Sequence, residues 1–287
     1  MNRYMRKIVL VGSMAVLMGA VLFTGPASAE IKLGVLPRLS AVELTTMFTP
    51  LADYLSVATG DKVTIVIPKD FDAFKAAVEG GQVDLGFANP LIYVQVKKGP
   101  GIEPLALAVE PKAGAKFRGI IVTRKDSGIE KVQDLKGKKL AFVEKDSAAG
   151  YIFQMLTLSK AGLNVEKDFT TLPFVKKHDN VILAVFNKTA DAGGIREDDL
   201  DKMKDKVDLS QLKIVAYTDY FPNWPLFTTS TLPKIKAAKV KAALLKLQPG
   251  DPLSDKIVGA AKLTGFESVT DKDYDMLRMA ASLVGAL

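Results

Sequence analysis

The chain has 287 residues, a formal net charge of +7, no cysteine and a single histidine. The missing thiols exclude a disulfide framework, a cysteine metal site, a cysteine nucleophile and a thiol-linked lipid anchor, and the lone histidine excludes a histidine-rich metal site. The positive excess is mild and forms no basic block, which speaks against nucleic acid and favours an anionic over a cationic ligand.

In chain order, the first expected segment is a leader. Arg3, Arg6 and Lys7 precede an apolar or small run from Ile8 to Thr24, and Ala27-Ser28-Ala29 fits a small-residue cleavage site. The run falls short of the roughly 20 residues of a spanning helix. Residues 1–29 are therefore expected to be a signal peptide cleaved after Ala29, leaving a soluble exported chain. Glu30 to Leu287 is long enough for two lobes and needs no staples.

Strand and helix then alternate. Ile31–Pro37 reads as a buried strand, Ala41–Thr59 as a helix stopped by Gly60, and Lys62–Pro68 as a second strand. A helix over Phe71–Glu79, a strand over Val83–Ala88, a short helix over Leu91–Lys97 and a strand over Pro104–Val109 complete a pattern that predicts a parallel sheet with helices on both faces. A polar break at Pro111–Lys116 separates a second run of strands: Phe117–Arg124, Lys139–Val143, Phe169–Val175, Asp191–Arg196 and Leu212–Tyr217. Helices over Ala148–Ala161, Asp179–Asn187 and Asp198–Lys204 lie between them. Phe221–Thr229 is the expected return crossover. Helices over Leu232–Leu247, with Pro233 in its first turn, and Asp271–Leu287, with Thr270 as N-cap, are expected to pack on the first lobe. The expected division is residues 30–116 and 221–287 in lobe 1 and 117–220 in lobe 2, with the cleft between them as the default ligand site.

Several blocks carry a family resemblance. The stretch GVLPRLS, the run from Pro50 to Tyr93, RKDSGIEKVQDLKGKKLAFVEKDSAAGY, KKHDNVILAVFNKTADAGGI and DPLSDKIVGAAKLTGFESVTDKDYDMLR occur in an order similar to that of phosphonate-binding periplasmic receptors. The resemblance spans nearly all of Ile31 to Leu287. It implies an α/β, type II periplasmic binding fold with two lobes and a hinge. It also implies a non-catalytic solute-binding component of an ABC transporter with a phosphate-, phosphite- or phosphonate-like ligand. The partners implied are a membrane permease or, alternatively, a membrane sensor kinase; a different small organic anion is the alternative ligand. A monomer is expected. No cofactor is, since neither a phosphate loop nor a dinucleotide fingerprint is present, and no nucleophile–base pair or Gly-x-Ser-x-Gly elbow points to an enzyme.

The resemblance also proposes site residues. Ser147-Ala148-Ala149-Gly150 stands where the receptors carry a Ser-Thr-Ser-Gly loop, with two hydroxyls lost and the backbone donors retained at a helix start. Ser147 reads equally as an N-cap. His178-Asp179 matches a His-acid pair before a helix, and the imidazole reads as an oxyanion donor or as a cap. Phe71 replaces a ligand-contacting tyrosine and lacks its hydroxyl, so a core or lid role is the stronger reading. Asn89 and Tyr93 follow the third strand, as cleft donors or as a turn former and a packing residue. Arg196 and Arg38 each end a strand; each reads as an oxyanion clamp or as a surface ion pair, for Arg196 with Glu197 or Asp198. Trp224 reads as a hinge-side or buried aromatic.

Overall fold

The computed structural model describes residues 30–97 and 101–287; the expected leader lies outside them. Local chemistry sets the first elements. Strand β1 (Ile31–Val35) is an apolar run. Helix α1 (Ala41–Thr59) begins at Ser40, whose hydroxyl accepts from the Glu43 amide while the Glu43 carboxylate accepts from the Ser40 amide; it ends at Gly60, in the left-handed region at φ 80°. Strand β2 (Val63–Val66) follows. Helix α2 (Phe71–Glu79) is capped by Asp70, which accepts from the Ala73 amide. Strand β3 (Leu85–Phe87), helix α3 (Pro90–Val96) and strand β4 (Glu103–Val109) complete the first run.

The chain then crosses over. Strands β5 (Lys116–Phe117), β6 (Gly119–Arg124) and β7 (Lys139–Ala141) precede helix α4 (Phe153–Lys160), β8 (Thr170–Thr171), α5 (His178–Phe186), β9 (Ala192–Arg196), α6 (Glu197–Leu200) and β10 (Leu212–Tyr217). The return runs through β11 (Phe221–Pro222), β12 (Pro225–Thr228), α7 (Lys234–Leu244), α8 (Pro252–Val258), β13 (Gly265–Glu267) and α9 (Asp275–Leu283). Two of these, α8 and β13, have no counterpart among the sequence expectations. The strand expected over Phe169–Val175 shrinks to the two residues of β8.

One sheet has the order β13-β4-β12-β3-β1-β2 and the other β10-β6-β9-β7-β8. Strands β2, β1 and β3 are parallel, as the alternation predicts. The sheet is not continuously parallel, however. Strand β12, arriving after the second crossing, inserts antiparallel between β3 and β4, and β13 adds antiparallel at the edge. The neighbour of β3 thus comes from more than a hundred residues downstream, which no local pattern encodes. In the second sheet β7 is parallel to β8 and β9, while β6 is antiparallel to β9 and β10.

Helices cover both faces of the first sheet. Leu44, Phe48, Leu51 and Leu55 of α1 pack with Val240 and Leu244 of α7 and Val258 of α8 on one face. On the other, α2 and α3 join a cluster that also takes Ala148, Ala149, Ile152 and Phe153 from the second run and Leu277 and Ala280 from α9. Helix α9 therefore does not rest on the first lobe alone, as its position in the chain suggests; it packs against both α3 and α4. Its apolar stripe is wide enough to serve two partners at once. Strands β5 and β11, one from each crossing, pair antiparallel as a ribbon between the sheets. There Phe221 stacks on Phe153, centroids 3.7 Å apart, with Phe117 against the same ring.

Gly86, in the middle of β3, is paired with Phe227 of β12, whose ring lies directly over it. A Cβ at this position overlaps the tip of that ring, which is itself wedged against Tyr93. Gly86→Ala is expected to destabilise the protein by roughly 1–3 kcal/mol through overpacking. A urea-unfolding midpoint equal to that of the wild type would refute this.

Candidate functional site

The loops that leave the strand ends of both sheets enclose a cavity of about 1150 Å³. From the first sheet come Arg38 after β1, Phe71 and Asn89 at the heads of α2 and α3, Glu110 after β4 and Trp224 before β12. From the second come Ser147, Ala148 and Ala149 after β7, Lys177, His178 and Asp179 at the head of α5, and Arg196 with Asp198 and Asp199 after β9. A cleft at strand carboxyl ends follows from the winding: each strand delivers its following loop to the same edge.

The Ser147–Gly150 segment differs from a simple capped helix. Residues Ala148–Ile152 form a π turn that runs into α4, and the Ser147 side chain makes no cap hydrogen bond. The capping reading of Ser147 is thereby removed, and the residue lines the cavity. Ala148 and Ala149 line the cavity at the head of this helix, where amide hydrogens lack intrahelical acceptors. Gly150 does not line it. It is buried against Val143 and the Ser147 hydroxyl, where a Cβ has no room.

His178 is tightly placed. Its Nδ1 accepts from the Arg196 amide at 3.0 Å, which puts the ring proton on Nε2, 3.7 Å from Asp199 Oδ2. That separation is too long for a hydrogen bond. Burial holds its pKa below the ordinary histidine value, with Asp199 opposing and Arg196 adding to the shift. The group is thus a neutral donor facing the cavity. Its neighbour Asp179 lies on the cavity wall but bonds Lys206 at 2.8 Å.

The two arginines separate in role. Arg196 is saturated: its guanidinium contacts Glu110 and Asp198 and lies 4.6 Å over the Phe117 ring. Glu197, offered by the sequence as a partner, instead forms a two-point pair with Arg118, both bonds 2.7 Å. Arg38 is different. Among the described residues its guanidinium has no hydrogen bond or ion pair, and it lies 5.4 Å from the Trp224 ring centroid. Desolvation lowers its pKa; Glu110 counteracts this and Arg196 reinforces it. The wall as a whole carries as many carboxylates as lysines and arginines.

The remaining candidates divide. Asn89 caps α3, its Oδ1 accepting from the Ile92 amide at 2.9 Å, and lines the cavity as well. Phe71 lines it while packing on the core. Tyr93 is absent from the cavity: it is fully buried, its ring stands between Phe227 and Tyr274, and its hydroxyl donates to Asp271 at 2.6 Å. The ligand reading of Tyr93 is corrected: its ring is packed between Phe227 and Tyr274 and its hydroxyl is taken by Asp271, all brought in from distant parts of the chain. Sequence reasoning passed over Glu110, Asp199 and Lys177. Glu110 had a usable signal, since it directly follows a buried strand.

Residues 33–274 match the family described as ABC transporter, phosphonate, periplasmic substrate-binding protein. The phosphate-import protein PhnD of Mycolicibacterium smegmatis is 28% identical over 278 residues, covering 89% of this chain and 86% of that protein. Among solved structures, XAC2383 of Xanthomonas citri bound to chloride ion aligns with a TM-score of 0.76 at 19% identity, over 89% of this chain and 97% of its own. PhnD1 of Prochlorococcus marinus in complex with methylphosphonate aligns at 0.72 and 17% identity, over 90% and 99%. The fold shared with them is the type II periplasmic binding fold expected from the sequence.

The burial of His178 has a measurable consequence. An unfolded imidazole takes its proton near pH 6.5, whereas the folded one does so only at lower pH. Between these values the unfolded state holds more protons, so stability falls as pH drops through about 6.5 and below. His178→Gln keeps an acceptor for the Arg196 amide but does not titrate, and is expected to flatten that part of the ligand-free stability profile. Urea midpoints taken at closely spaced pH values test this; parallel wild-type and variant profiles would refute it.

Proposed function

The chain belongs to the family of periplasmic phosphonate substrate-binding components of ABC transporters, and from that premise we propose that it captures a small tetrahedral oxyanion and passes it to a membrane permease. Phosphate, phosphite and simple phosphonates are the ligand class. The observation that carries the reading is the Arg38 guanidinium, which lies in the cavity without a carboxylate partner among the described residues. Arg38 is solvent-exposed on the cavity wall, and a guanidinium with no carboxylate bonded to it keeps its two-pronged donor face available to an oxyanion. Ser147, Ala148 and Ala149 at the helix head and His178, whose proton sits on Nε2, line the same space and supply donor types that suit oxyanion oxygens.

Residues 30–116 with 221–287, and residues 117–220, are proposed as the two lobes, hinged at the β5–β11 ribbon, with residues 1–29 removed on export. A ligand touching Arg38 on one side and the Ser147 loop on the other stabilises the closed arrangement over the open one, which is what a permease is proposed to recognise. The loss of the Phe71 hydroxyl and of two loop hydroxyls, relative to the receptors this chain resembles, favours ligands with little beyond the oxyanion itself.

Inorganic phosphate, phosphite and methylphosphonate are expected to raise the thermal unfolding temperature. At a hundredfold excess over Kd the stabilisation is about 2.7 kcal/mol. Arg38→Ala is expected to weaken binding roughly tenfold or more, as befits a hydrogen bond to a charged group. An absence of stabilisation by any of these anions in the wild type would overturn the proposal.

A further inference from the structure

Behind the cavity wall sits Gln154, a polar residue with 0% exposure. Its side-chain amide nitrogen donates to three backbone carbonyls: Ala149 at 2.7 Å, Ile195 at 3.1 Å and Ile120 at 3.2 Å. Its Oε1 is buried and has no hydrogen-bond partner. Burying an amide with one end unpaired costs free energy, so the donor end must do something that an apolar side chain of that size cannot.

The three acceptors belong to three different elements. Ala149 lies in the π turn that opens α4. There the Phe153 amide donates to Ala148 O, one residue further back than in an α-helix, and Ala149 O receives Gln154. A π turn of this kind displaces the regular ladder and needs an outside partner. Ile120 and Ile195 face each other across the β6–β9 pair. Two glycines make room for the side chain: a Cβ at Gly119 overlaps its amide, and one at Gly194 stands 2.9 Å from its Cγ.

The Ile195 contact reaches further. The carbonyl of Ile195 and the amide of Arg196 belong to one peptide unit, and peptide units are planar and stiff. Gln154 holds the carbonyl side of that unit, and His178 Nδ1 accepts from its N–H side at 3.0 Å. The same side-chain amide therefore grips the carbonyl of Ala149, at the helix head, and the peptide that sets the orientation and tautomer of His178.

We propose that Gln154 is a positioning residue that locks the helix-head donors of Ala148–Ala149 and the imidazole of His178 into one rigid frame, through the Ile195–Arg196 peptide. The inference rests on the reading of this cavity as the anion site. Gln154 touches no ligand in this scheme; it fixes the separation and direction of two groups that do.

Gln154→Met keeps length and bulk but removes the donor. In the mature protein it is expected to weaken binding of methylphosphonate and inorganic phosphate about tenfold, the scale of one lost hydrogen bond. It should also convert His178, in nitrogen-15 spectra of the ligand-free protein, from a single Nε2–H tautomer to a mixture. A purely structural role lowers the unfolding midpoint but leaves the tautomer and both affinities at wild-type values, and that result overturns the proposal. Should the variant not fold, the wild type is titrated with methylphosphonate while the Gln154 side-chain amide signals are followed. They are expected to shift in step with those of Ala149 and His178, and invariant Gln154 signals overturn the proposal. A wild-type protein that binds neither anion refutes the anion reading instead, and the ligand-free His178 tautomer in the variant still decides the role of Gln154.

Discussion

The double crossing of the chain between its two sheets is the constraint on which the rest depends. Both crossings are held at one point, where β5 and β11 pair and the rings of Phe117, Phe153 and Phe221 meet. Stacked aromatics bury large area with little rotamer freedom, so the two crossings are held together here, whereas the loops facing across the cavity are joined by side-chain contacts such as Arg196 with Glu110 rather than by paired strands. The result is a molecule whose two sheets turn their strand ends toward a shared space. Insertion of β12 between β3 and β4 completes the arrangement, because it anchors the returning chain in the middle of the first sheet rather than at its edge.

Charge in that space is arranged rather than accumulated. A cavity with equal numbers of acids and bases attracts anions poorly through its overall field. Discrimination must come from which charges are already satisfied. Arg196 is satisfied by Glu110 and Asp198, and its role is to tie the loop after β4 to the strand end of β9. Arg38 is left over. Its guanidinium, without an ion pair among the described residues, lines the same cavity as a neutral His178 and the head of the α4 helix, so donors are available although the wall as a whole is balanced. Burial lowers the affinity of His178 for protons, so its imidazole adds no positive charge to the empty site at neutral pH.

The supporting layer explains why small residues surround the donors. Gly119, Gly194 and Gly150 are each at a place where a Cβ meets a neighbour within van der Waals distance. Gly194 stands two positions before Arg196. The space beside it is taken by Gln154 and Phe142 from behind. Ordinary close packing thus uses the glycines to bring backbone amides and carbonyls near one buried side chain.

Sequence alone determined the alternation of strands and helices, the helix over Ala41–Thr59 with its Gly60 stop, the family, and the placing of Ser147 and His178 at helix starts and of Arg196 at a strand end. These are local: periodicity, caps and motif order act over a few residues and survive in any window. It did not determine that Tyr93 turns into the core while Asn89, four positions earlier, stays at the cavity, that Arg196 is consumed by Glu110 rather than Glu197, or that Ser147 caps nothing. Each of those depends on which distant segment arrives beside it. Glu110 and Arg196 lie 86 positions apart, and β12 reaches β3 only after the second crossing. Pairings across such separations are set by the closing of the whole fold, where packing and charge choose among partners that the local pattern leaves equivalent.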